Sequence, residues 1–234
     1  MLNKTILTGA KARRERVREE MRAAIVDSAS RLLAEHGVEG LTIRGVAEDL
    51  GYSPGALYEY FDSKELLLCS LYFEGTDGLG VHCEKAIDRL PKEATAIEAI
   101  TGIGRAYREF ALTHPELYRL AFFGLKTPPA PPEVDDPNES PGGFGLAVEL
   151  INQGIAEGSL VDLPAPVMAT SIWSAVHGFV SLEISGQITG SEAPGMPTPP
   201  PDEARTHRDQ IFEAVLHMAL FGFAREEHRP QTAS

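Results

Sequence analysis

Residues Leu41 to Glu65, LTIRGVAEDLGYSPGALYEYFDSKE, constrain the fold more than any other stretch of the 234-residue chain. Val46, Ala47 and Leu50 recur at helical spacing and define one buried face. Thr42 stands just ahead of that run, where a hydroxyl caps a helix. Gly51 follows Leu50, where a helix end favours left-handed backbone. Ser53 then caps a second helix, with Pro54 at its first position, where a missing N–H costs nothing. Leu57 and Phe61 give that helix its inner face. Asp62 is expected to start the next helix, with Glu65 completing a capping box. Two short helices joined by a tight turn have helix-turn-helix geometry.

The outer face of the second helix carries the chemistry. Gly55 and Ala56 are small, so the backbone there can approach a partner closely. Tyr58 and Tyr60 bring hydroxyls on rigid arms, Lys64 adds a cation just beyond, and Arg44 projects from the preceding helix. Small residues in the middle with donors at the rim suit a major groove. The rim holds phosphates while the centre approaches base edges.

The set Thr42-Ile43-Arg44, Val46-Ala47, Gly51, Ser53, Gly55, Leu57-Tyr58, Phe61 and Lys64 resembles the DNA-binding signature of the TetR family of bacterial transcriptional regulators. The resemblance covers residues 16–75, with the helix-turn-helix at 42–61. It implies phosphate contacts from Thr42, Tyr58, Tyr60 and Lys64, and base or groove contacts from Arg44, Ser53, Gly55 and Ala56. Glu59 departs from the pattern, since an acid in a recognition helix repels phosphates; it either accepts from a cytosine amino group or points along the groove edge.

Net charge is −13, which is unusual for a DNA binder, so its distribution decides. Residues 1–31 hold eight bases against four acids, a local +4, and the acidity lies downstream. Salt screens charges beyond roughly 10 Å, so the field at the binding face governs affinity. Residues 1–15 read as a flexible basic arm, either reaching DNA or serving as a solubilising tail. Arg16 to His36 reads as a long amphipathic helix ended by Gly37, which braces the helix-turn-helix.

From Ser63 a helix runs to Phe73 and beyond, interrupted by Gly75, Gly78 and Gly80. In the family resembled, this helix links the head to the body and transmits ligand binding as a tilt, which these glycines would ease. Further helices are expected over Glu93–Thr113, Pro115–Gly124, Phe144–Glu157, Ala165–Ile188 and Glu203–Glu227. Proline-rich connections fall at Lys126–Gly143 and Gly190–Pro201. No strand-like alternation competes, so the fold class is all-α: a three-helix head, a helical ligand-binding and dimerisation body at 76–228, and a disordered tail at 229–234.

The last two long helices are more apolar than one small body requires. Pairing them with a second copy makes a four-helix homodimer interface, which suits a two-fold operator. The run Trp173 to Gly178, with His114 to Leu120, is similar to one subgroup of TetR-type C-terminal domains. A body of this type encloses a small-molecule cavity. Tyr107, Phe110, Tyr118, Phe122, Met168, Trp173 and His177 are the candidate lining, an aromatic wall suited to a hydrophobic or aromatic effector. The same residues also serve as plain core or interface.

No metal spacing, nucleophile elbow or phosphate-binding glycine loop is present, so no catalytic residue, metal or cofactor is assigned and no enzyme is expected. Two cysteines make no disulfide framework; Cys69 and Cys83 read as buried small residues, with a redox-sensing regulator as the sharper alternative. No run approaches the roughly 20 apolar residues of a membrane span and no leader is evident, so a cytoplasmic protein is expected.

Overall fold

The computed structural model describes residues 9–124, 142–188, 200–225 and 227. Most of the two proline-rich connections, residues 1–8 of the arm and the tail 229–234 lie outside the described residues. Two compact units divide the chain: Met1–Thr76 with Glu116–Pro132, and Asp77–Pro115 with Glu133–Ser234. The described residues are helical and include no strand; an isolated bridge joins Leu160 and Ala224.

In the head, α1 (Gly9–Gly40) is broken at Gly37, whose φ of 66° ends the helix where the sequence reading stops it. It begins at Gly9, so residues 9–15 are helix rather than flexible arm. The run AKARRERVREE is rich in strong helix formers, and Arg16 pairs with Glu20 one turn on (3.6 Å). Next come α2 (Ile43–Leu50), α3 (Pro54–Tyr58) and α4 (Lys64–Asp88). Thr42 Oγ accepts from Gly45 N–H at 2.9 Å, and Ser53 Oγ accepts from Ala56 N–H at 3.3 Å. Gly51 turns left-handed at φ 73° and closes α2.

The α4 cap differs from expectation by one residue. Ser63, not Asp62, accepts from Leu66 N–H (3.3 Å), and Glu65 is bonded to Ser63 and its own backbone, which lowers its pKa. The core of the head comprises Ile25, Leu33, Val46, Leu57, Phe61 and Leu67, each at most 2% exposed. Each such side chain contributes roughly 1.5–3 kcal/mol. Leu120 and Leu117 join this core, which is why residues 116–124 cluster with the head. Buried Ser28 donates to Asp49 at 2.5 Å and Arg31 adds a 3.0 Å bond, so α1 and α2 are clamped and the Asp49 carboxyl sits below its usual pKa.

The glycines expected to interrupt α4 do not. Each instead gives a neighbour a close seat. A Cβ at Gly75 would lie 3.4 Å from the Leu117 carbonyl oxygen. At Gly78 it would lie 3.4 Å from the Phe110 ring, and at Gly80 3.3 Å from the Gly142 backbone. The body holds α5 (Ala96–Thr113), α7 (Gly142–Ala156), α8 (Ala165–Ile184) and α9 (Pro201–Phe221). Between α5 and α7 the chain forms α6 (Pro115–Arg119) and a π-helical turn, Leu120–Gly124. α5 starts later than expected because Thr95 and Glu98 form a full capping box.

Ile100, Ile151, Leu160, Met168, Ile172 and Leu220 form one apolar cluster of the body; Cys83, Ile103 and Ala106 form another. Gly104 lets Leu216 of α9 press against α5, since a Cβ there would lie 2.6 Å from its methyl. A part-buried ion cluster pins three helices together. Arg108 of α5 makes a bidentate pair with Glu183 of α8 (2.7 and 2.8 Å) and meets Asp209 of α9 at 2.8 Å. Its guanidinium also lies over Phe179 and Phe212, at 5.6 and 4.8 Å. Burial works against the charge, but these bonds outweigh it and the Arg108 pKa is raised.

By length and composition alone α8 passes for a membrane helix, as the core helix of a folded protein also can. Its Met168, Ala169, Ile172, Val176, Phe179 and Val180 are buried in the fold. On the opposite face Val167 (56% exposed) and Leu182 (42%) are open, and Gly178 has no atom within 4 Å of where a Cβ would stand.

Candidate nucleic-acid interface and effector site

α3 is a single helical turn bolted down from one side. Leu57 and, just beyond, Phe61 are its buried anchors, at 1% and 2% exposure. Most of the rest is open: Ser53, Gly55, Tyr58 (51%) and Glu59 are exposed, while Ala56 and Tyr60 are half-buried. A side chain at Gly55 would meet only Ser53 Oγ, at 3.9 Å, so the backbone here is bare.

Arg44 is exposed one helix earlier. It touches Glu48 at 2.9 Å, but both side chains are well solvated, and such pairs contribute only about 0–1 kcal/mol. Thr42 Oγ accepts the α2 cap bond and keeps its own hydrogen to donate. Lys64 is less free than the sequence suggests: its Nζ donates to Val38 O at 2.7 Å, leaving two N–H groups. Two residues missed by the sequence reading hold the far end of α3. Arg18 Nη2 donates to Glu59 O (3.2 Å) and Arg22 Nη1 to Tyr60 O (2.5 Å). The bases recurring every three or four residues along α1 were the available signal.

The five candidate effector residues that lie in the body do not form one wall. Tyr107, Trp173 and His177 come together: Trp173 Nε1 donates to the Tyr107 phenol oxygen (3.3 Å), which lies 2.7 Å from His177 Nδ1. Trp173 is 39% exposed and meets Phe144 edge-on at 6.3 Å. Burial pushes the His177 pKa down, so the ring is neutral at pH 7. Phe110 stacks on His114 at 4.8 Å. Met168 is fully buried in the apolar cluster with Ile151 and Leu220, where it serves as core. Tyr118 and Phe122 pair with each other at 4.8 Å within the head unit. A cavity of about 810 Å³ opens instead beside the ion cluster, lined by Arg105, Arg108, Leu112, Glu183, Phe212 and Glu213 among others, and by none of the seven.

Residues 25–71 match the model of bacterial regulatory proteins of the tetR family, and residues 100–219 match a tetracyclin repressor-like C-terminal domain. The chain is similar to the HTH-type transcriptional regulator Rv1816 of Mycobacterium tuberculosis, 28% identical over 204 residues, 75% of this chain and 85% of the relative. It is similar to the HTH-type transcriptional repressor KstR2 of the same species, 26% identical over 167 residues, 68% and 80% of the two chains. In fold it is similar to a TetR variant from Acinetobacter baumannii in complex with minocycline, at 22% identity and a TM-score of 0.58, covering 88% and 97% of the two chains.

Proposed function

The chain belongs to the TetR family of bacterial DNA-binding transcriptional regulators, and we propose that it is a dimeric repressor released from its operator by a small hydrophobic or aromatic effector. The exposed face of α3 carries this reading: a bare backbone at Gly55 framed by solvent-facing Tyr58, with Leu57 and Phe61 locking the turn in place. Tyr58, Tyr60, Thr42 and the remaining donors of Lys64 hold phosphates. Arg44, Ser53, Gly55 and Ala56 face the bases, with Glu59 at the edge.

Exposed apolar groups support dimerisation through α8 and α9. Met218 of α9 is 70% exposed, and with Val167 and Leu182 of α8 it offers surface that a second copy buries. For the effector, the Tyr107–Trp173–His177 chain with Phe144 supports an aromatic, mostly apolar ligand satisfied by one or two polar contacts. To shift occupancy from mostly bound to mostly free, the effector must prefer the released state by about 5 kcal/mol. The redox alternative draws no support from Cys83. Burial, with Glu84 nearby, pushes its thiol up to about 12, so the reactive thiolate is scarce.

Fluorescence anisotropy on duplexes tiling the DNA that flanks the coding region tests the reading. Tyr58→Phe removes one hydrogen bond and is expected to weaken binding about three- to tenfold with the fold intact. A wild-type protein that ignores every duplex at moderate salt, or a Tyr58→Phe variant of unchanged affinity, overturns the assignment.

A further inference from the structure

The geometry points to a second DNA-contacting element in the N-terminal half of α1: a cationic rail of Lys11, Arg14 and Arg18 that holds the backbone phosphates bordering the groove α3 occupies. This role rests on the DNA-binding reading of α3. Lys11, Arg14, Arg18 and Arg22 follow one another at spacings of three, four and four, so they share one face of a helix that runs back to Gly9. The inner end of the row is fixed. Arg22 and Arg18 donate to the last carbonyls of the α3 region, at Tyr60 and Glu59, and the Arg18 guanidinium stands 5.7 Å over the Tyr60 ring.

The outer end is open. Lys11 and Arg14 are exposed, and among the described residues neither pairs with a carboxylate, whereas Arg16 is turned to Glu20. Between this end of α1 and α3 lies a cleft of about 640 Å³, lined by Arg13, Arg14, Val17, Arg18 and Tyr60 with Glu15 and Glu59 as the opposing acids.

Length and charge select the occupant. From Arg22 to Lys11 the row spans roughly 16 Å at the helical rise, more than the roughly 12 Å width of a major groove. Starting beside α3, the row is therefore long enough to pass the groove edge and meet the strand bordering it. Residues 11–22 hold six bases against three acids in a chain of net charge −13, so positive potential is concentrated here. Cations on flexible, exposed stems neutralise phosphates without reading bases, so the rail contributes affinity in equal measure to any sequence.

The test uses the full chain with K11Q/R14Q, since glutamine keeps helix propensity while removing charge. Anisotropy titrations across a salt series compare the tightest-binding duplex from the coding-region flanks with a scrambled duplex of equal length. The expected result is a log–log salt slope smaller by about two. Binding weakens roughly 30-fold at 0.15 M salt, equally on both duplexes, with an unchanged circular dichroism spectrum. Unchanged slope and affinity in K11Q/R14Q, while Tyr58→Phe still weakens binding, overturns the rail and leaves the α3 reading intact. A loss confined to the preferred duplex also overturns it, because phosphates carry no sequence. A wild-type protein that binds neither duplex overturns both.

Discussion

Replacing Arg108 by methionine isolates the charge cluster that joins α5, α8 and α9. Methionine retains much of the apolar stem but removes the bidentate pair with Glu183, the bond to Asp209 and the cation over Phe179 and Phe212. Glu183 is only 5% exposed and, among the described residues, keeps Arg208 in reach at 3.4 Å. Removing one partner of a buried pair costs roughly 3–5 kcal/mol when the other charge is left uncompensated, and the remaining Arg208 places this loss at the low end, about 3 kcal/mol. For a chain of this length that corresponds to a fall in Tm of roughly 6–12 °C. The chain has a single tryptophan, Trp173, on α8, so its fluorescence against denaturant reports on the body directly. R108M/E183L removes both charges and is expected to recover to within about 2 kcal/mol of the wild type, since apolar replacement of a whole buried pair is often neutral. The half-exposed Asp209 returns to water at little loss. An R108M variant melting with the wild type refutes the reasoning, as does a double variant whose loss equals the sum of the singles.

His177 has its pKa pushed below the ordinary 6.5 by burial, so the unfolded chain takes up its proton first. Stability of the body should be flat above pH 7 and decline as pH falls through 6.5, and the decline should be reduced in His177→Gln; denaturation midpoints across pH 5.5–8 measure it. Met218→Glu places a charge on the most exposed apolar group of α9. Sedimentation should show dimer dissociation more than about 100-fold weaker in affinity, and a dimer of wild-type affinity removes α9 from the interface. The Cys83 thiol, raised from 9.0 to about 12, should form about a thousandfold less thiolate than an ordinary cysteine, so a thiol reagent should label Cys69 well before Cys83 in the native protein.

What was legible in the chain was local. Thr42, Gly51 and Ser53 each act within four residues of their partners, so caps and turn read directly from residue type. Asp62 and Ser63 are both cap formers side by side, and side-chain reach to Leu66 N–H decided between them. The glycines of α4 looked like breaks because a one-dimensional reading sees their weak propensity and not the neighbours seated against them. Met168 and Tyr107 were indistinguishable as apolar residues on helical faces; packing sent one into the core and the other into a hydrogen-bonded chain. The Arg108 cluster joins residues 75 positions apart, and no local periodicity announces such a pairing.

Gly178 sits mid-helix in α8 with open space where a methyl would stand. Within one subunit alanine there would strengthen the helix by about 1 kcal/mol without touching anything. In the dimer proposed above, the missing side chain would let two such helices from separate subunits cross with their backbones nearly in contact. Gly178→Ala is therefore expected to harden each subunit and, if α8 pairs with its own copy, to prise the two apart.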